Sequence, residues 1–122
     1  MIIFGHPKIP SPPIITIKSK EEIAQIPANA IVAFAFDFDL LHYCRDNNIT
    51  CAVWISSTTE AVYANALEAK FLLCNLPLAK EVQKVAENYL FDAKVIAKID
   101  ERLIEKAIEA AIDGVLLTNY TR

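Results

Sequence analysis

The chain has 122 residues, 54% of them hydrophobic, and a formal net charge of −3, which fits one domain with a sizeable core and no separate substrate domain. Its 12 basic residues are scattered and face 15 acids, which argues against a dedicated nucleic-acid binder, because phosphate recognition draws on clustered Lys and Arg. The longest uninterrupted apolar run, residues 30–36, is far shorter than the ~18 residues needed to cross a bilayer. No basic segment followed by an apolar one opens the chain, so no membrane association and a cytoplasmic location are expected.

Residues 1–13 hold Pro7, Pro10, Pro12 and Pro13, four of the six prolines. Proline fixes φ and removes a donor, so this piece is expected to be an extended N-terminal arm without helix. Its first four residues are all apolar, which predicts that the arm is tied to its own domain or to a neighbouring subunit. Residues 14–122 then read as a single βα-repeat domain.

Residues 14–17, Ile-Ile-Thr-Ile, predict a strand, and Ser19 with Glu22 forms a capping box for a short helix ending before Pro27. The apolar run 30–36 lacks alternation, as expected of a central parallel strand. Leu40, Leu41 and Cys44 give the next helix an inward stripe that ends at Asp46-Asn47-Asn48. Residues 51–55 predict a strand, and Ser57 with Glu60 caps a helix whose inward positions are Val62, Ala66 and Ala69.

Residues 71–74 predict the next strand, with Trp54 of the preceding one assigned to the core. Pro77 suits the first turn of a helix with an apolar stripe from Leu78 through Val82, Val85, Ala86 and Tyr89 to Leu90. Residues 95–99 form a strand, Asp100 an N-cap, and Leu103, Ile104, Ala107, Ile108, Ala111 and Ile112 the buried face of the last helix. Gly114 reads as its C-cap before a final strand, 115–117.

The strands from residue 31 onward recur at intervals of roughly 20 residues, the length of one strand plus one helix with minimal loops. Such alternation predicts an α/β fold: a single three-layer domain with a mostly parallel sheet of five or six strands, flavodoxin-like or Rossmann-like. The alternative is a (βα) part-barrel completed by oligomerisation.

In either arrangement, polar groups converge just beyond the carboxyl ends of the strands, beside helix N-termini. Those positions hold Asp37 and Asp39, then Ser56, Ser57, Thr58 and Thr59, then Asn75, then Lys98 with Asp100, and Thr118 with Asn119. Asp37, Asp39, Ser56, Ser57, Thr58, Thr59, Asn75 and Lys98 are therefore the expected ligand-binding set. The competing expectation is helix capping by Asp39, Ser57, Asn75 and Asp100.

The apolar stretch 31–36 followed by Asp37-Phe38-Asp39 resembles the first motif of haloacid-dehalogenase-type phosphatases. That resemblance implies a nucleophilic first Asp, an acid/base second Asp and Mg²⁺ alongside. Leu40 and Leu41 depart from the Gly or Thr and Thr usual there.

Gly5 and Gly114 are the only glycines, so neither a dinucleotide-binding turn nor a phosphate-binding loop can be built. No catalytic set, cofactor or metal site is expected from His6, His42 and three cysteines that lack zinc-like spacing and are expected to be buried and reduced. The expected function is binding or association, as a homodimer that exchanges the N-terminal arm. The alternative is a phosphate, anion or small-metabolite binder, or a minimal phosphatase-like enzyme, built on Asp37, Asp39 and the Ser56–Thr59 cluster.

Overall fold

The computed structural model describes residues 1–119; the last three residues of the expected 14–122 domain lie outside them. The strands are β1 (Ile2–Phe4), β2 (Ile14–Thr16), β3 (Ile31–Ala35), β4 (Cys51–Trp54), β5 (Phe71–Asn75), β6 (Lys94–Ile99) and β7 (Gly114–Leu117). The helices are α1 (Phe38–Asp46), α2 (Thr58–Ala66), α3 (Leu76–Asn88) and α4 (Ile104–Glu109), with short 3-10 turns at Lys20–Gln25 and Glu101–Leu103. All strand pairs are parallel, in the order β1-β7-β6-β5-β4-β3-β2.

From β2 to β7 each strand lies beside its predecessor, with no reversal of direction across the sheet. Right-handed crossovers laid down in one direction put every helix on the same face. The inward residues of α1 to α4, among them Leu41, Ala64, Val82 and Ala107, accordingly pack in one core with Val53, Leu72, Val95 and Val115. Alternate strand residues, Ala33, Ala52, Leu73 and Ile96, turn to the other, concave face, where Phe4 and Phe71 join them. The parallel α/β class expected from sequence is thus present, and of the two arrangements the molecule adopts the curled part-barrel.

The strand count exceeds expectation because Ile2–Phe4 of the arm is itself a strand, paired with β7 in the register Ile2↔Gly114 and Phe4↔Leu116. The greasy start of the arm is therefore bound to its own domain within this chain. Phe4 is 3% exposed and meets Phe71 edge-on at 5.2 Å between ring centroids. Residues 5–13 then cross from β1 at one edge of the sheet to β2 at the other. The Ser11 Oγ accepts from the Gly5 N–H at 3.4 Å, and the Pro13 carbonyl accepts from the Ile31 N–H at 2.8 Å.

Gly114 does not cap the last helix. It opens β7, where a Cβ would lie 2.6 Å from the Ile2 carbonyl oxygen and 2.8 Å from both Ile2 Cβ and Ile96 Cδ1. Glycine is needed there for the close approach of β1. The helix ends instead use non-glycine residues in the left-handed region: Asn48 (φ 54), Glu68 (φ 67), Leu90 (φ 53) and Ala111 (φ 55).

In each case the next residue returns its N–H to a carbonyl of the last helical turn: Ile49 to Cys44, Ala69 to Ala64, Phe91 to Ala86 and Ile112 to Ala107. This is the Schellman ending, repeated four times, and it drops a hydrophobic residue into the helix-side core before the next strand.

Three helical stripes differ in phase from expectation. In α2 the buried residues are Ala61 and Ala64, while Val62 is 40% exposed. Leu90 and Ile108 are exposed as well. Leu90 lies beyond the end of α3, and α4 is shorter than the periodicity implied because the segment opens as a 3-10 turn, which rotates side chains by a different angle per residue.

Candidate functional site

The strands' carboxyl ends carry the residues expected there, and the structure commits most of them to helix starts. Asp37 N-caps α1, its Oδ1 accepting from the Leu40 N–H at 3.0 Å; Asp39 sits in the first turn rather than at the cap. Ser57 Oγ accepts from the Glu60 N–H at 3.1 Å, and Glu60 Oε1 accepts from Ser56 N–H and Ser56 Oγ–H at 2.8 and 3.0 Å. Thr58 and Thr59 form the first turn of α2 behind that cap. Asn75 Oδ1 accepts from the Leu78 N–H at 3.0 Å.

Asp100 Oδ1 accepts from the Arg102 N–H at 2.9 Å, and this bond, reinforced by the Arg102 side chain, holds its carboxyl below the usual carboxylate range. Asp37, Ser57, Asn75 and Asp100 each satisfy a backbone donor that a helix start leaves open.

Among the described residues no three His, Cys, Asp or Glu side chains converge on a point where a metal ion would sit. With Asp37 occupied as a cap, the residues present do not fit the Mg²⁺ site that the phosphatase resemblance implies.

Lys98 is different. It lies on the concave face of β6, beside Leu116 of β7 and Asn75 of β5 in the sheet register. Its ammonium stands 5.5 Å from the centre of the Trp54 ring. Trp54, expected in the core, is only half-buried, because position 54 ends β4 on the concave side, where no helix packs. The Trp54 Nε1–H donates to Thr16 Oγ1 of β2 at 3.3 Å, which fixes the plane of the indole.

Between this wall and the arm runs a groove of about 620 Å³, bounded by Trp54, Lys98, Thr16 and Thr118 on the sheet and by His6 and Pro10 on the arm. His6 Nδ1 accepts from the Lys8 N–H at 3.0 Å, so in this arrangement the ring's other nitrogen carries the proton, facing Glu101 Oε2 at 3.8 Å.

Among the described residues the groove is lined by no Asp or Glu, although the chain has 15 of them. Apart from Ser11 its walls are otherwise apolar, among them Phe4, Ile9, Ile14 and Leu116. The arrangement offers one full positive charge, an aromatic face with a fixed edge, and hydroxyls at two sides. It can hold an anionic group on an apolar body. Of the expected ligand-binding set only Lys98 lines this groove, joined by Thr118 of the wider strand-end group, and Trp54, Thr16 and His6 were missed. Their one common signal is strand parity: Thr16, Trp54 and Lys98 all fall on the concave positions of their strands.

The three cysteines lie on the helix side and are free and buried. Burial pushes the Cys74 thiol up to about 12, and contact with Cys44, together with burial, also raises that of Cys51. No helix among the described residues is long and apolar enough to cross a membrane. Compared with protein-family models and with curated proteins, the chain matches none.

Proposed function

We propose that this domain binds a small organic anion in the groove between its concave face and its N-terminal arm. The observation that carries this reading is Lys98: a lysine on the inside of a curled sheet, at the carboxyl end, over the chain's one tryptophan, in a groove with no carboxylate on its walls. Ligand sites of parallel βα folds gather at this end. The volume lies within the roughly 300–1,000 Å³ of small-molecule sites, more room than a bare phosphate or acetate fills, so the anionic group should be part of a larger apolar or aromatic body. Action in a reducing, cytoplasmic compartment belongs to the same reading, supported by the three free thiols.

The test is a thermal-shift screen of aromatic carboxylates and organic phosphates, with hits titrated by fluorescence of Trp54. Saturable quenching that weakens about tenfold or more in Lys98→Met, the size expected for a charge-assisted bond, supports the proposal. Equal response in Lys98→Met, or no hit in the screen, removes it.

A second reading is association of two copies by exchange of β1. It is favoured by the small pairing of that strand, three residues, at the end of a crossing segment between two open sheet edges. Native mass spectrometry at micromolar concentration decides it: a dimer supports exchange, and a monomer at all concentrations excludes it.

A further inference from the structure

At the opposite, amino-terminal end of the strands lies a second cavity, of about 750 Å³. One side is β1, and the other is the chain from Ile23 through Ile26 into the start of β3, with the Ile49 and Lys70 loops as floor. The cavity thus occupies the opening that the sheet leaves between its two edges. Ile2, Ile3, Ile23, Ile26 and Ile49 are all half-buried and all line it. Aliphatic side chains from three separate segments therefore leave their uncovered surface in one concave place, and such a concentration marks a binding surface more often than scattered exposure does.

The polar part of the lining is equally specific: Ser11, Asn29, Asn48, Thr50 and Lys70, with no Asp or Glu among the described residues. Among the described residues Lys70 is the cavity's only ionisable side chain, and no carboxylate of theirs pairs with it.

We propose that this cavity is a site for a free single-chain alkyl carboxylate, the chain among the isoleucines and the carboxylate on Lys70. An elongated apolar ligand fits the aliphatic lining, and a negative head fits a rim with one cation and no acid. The site is separate from the carboxyl-end groove and does not rest on it. The two share Phe4 and Pro10 to Pro12 as a partition, but each has its own lysine.

The probe is dodecanoate below its micelle concentration, titrated into the whole protein by calorimetry, with decanoate, dodecanol and dodecylammonium as comparisons. In the Lys98→Met background, where the groove has lost its cation, dodecanoate is expected to bind saturably with one site. Affinity should rise by up to about fourfold per methylene from decanoate, the factor for a fully buried CH₂. Dodecanol should bind at least tenfold more weakly and dodecylammonium not at all.

Lys70→Glu, at an exposed position, should weaken dodecanoate at least tenfold, and Ile26→Trp, which puts an indole into part of the space the alkyl chain would take, should weaken it too. Because the background is Lys98→Met, these losses report this site and not the groove. The proposal is overturned by any of three results: no binding of dodecanoate, equal binding of dodecanol with no effect of Lys70→Glu, or partition of the protein onto phosphatidylcholine vesicles that Lys70→Glu and Ile26→Trp do not alter.

Discussion

Replacing Gly114 by alanine adds one methyl group where β1, β6 and β7 are closest. Of the three atoms it meets, the Ile96 methyl at 2.8 Å can swing away by a rotamer change, but the Ile2 carbonyl oxygen at 2.6 Å and Ile2 Cβ at 2.8 Å belong to β1 itself. Those two atoms move only if the strand moves. Forcing a methyl into a close-packed site costs about 1–3 kcal/mol. The upper bound is set by letting β1 go.

Releasing β1 forfeits the burial of Phe4, about 1.5–3 kcal/mol, and its edge-on contact with Phe71, about 0.5–1.5 kcal/mol more. Release would therefore cost about 2–4.5 kcal/mol; the smaller cost of accommodating the methyl, about 1–3 kcal/mol, is the expected loss, with a fall in Tm of roughly 3–14 °C for a domain of this size. Urea unfolding and a thermal melt followed by circular dichroism measure both. Because Phe4 lines the groove and the second cavity alike, ligand responses at both should fall with it. A Gly114→Ala protein whose Tm stays within about 2 °C of the parent refutes the placement of β1 against β7.

Two other outcomes follow from backbone and burial. Leu90 and Ala111 are exposed residues held at φ 53 and φ 55, where a Cβ is penalised, so Leu90→Gly and Ala111→Gly should each raise stability by about 0.5–1 kcal/mol in urea unfolding, while Asn48→Gly should change it little. The Cys74 thiol holds its proton to about pH 12 in the folded state, whereas in the unfolded chain it ionises near pH 8.5. Its contribution is thus complete below that pH and is lost as pH rises toward 12. Above the lower value Cys74→Ala should flatten the decline of stability by up to about 1.4 kcal/mol per pH unit, and equal slopes for the two proteins would contradict the burial of this thiol.

The regular βα rhythm was legible because it is local. Apolar runs without alternation announce strands covered on both faces, and the Ser57, Asn75 and Asp100 caps and Pro77 mark where helices begin. Curvature was not legible. Whether successive units turn back across the sheet or continue around it depends on how neighbouring strands pack, and Ala33, Ala52 and Gly114 on the concave side read in sequence as small residues of any core. β1 was hidden because three residues carry too little pattern to separate a strand from an extended arm.

The candidate site failed to show for the opposite reason. The polar groups most conspicuous in sequence, Asp37 and Ser56 to Thr59, were conspicuous because they start helices, and that is where the structure spends them. Lys98 and Trp54 lie on different strands, and only the register that stacks β4, β5 and β6 brings them together.

The central claim, that Lys98 and Trp54 form an anion-binding wall on the inside of the sheet, is tested most directly by the indole N–H resonance of Trp54. It is the only one the protein has, and its hydrogen bond to Thr16 places it at the edge of the groove. Titrating ¹⁵N-labelled protein with 2-naphthoate should move this resonance along a saturating curve, with the Thr16 and Thr118 amides following and the whole response lost in Lys98→Met. An indole resonance that stays fixed while amides on the helix side shift, or that moves equally in Lys98→Met, would contradict the account.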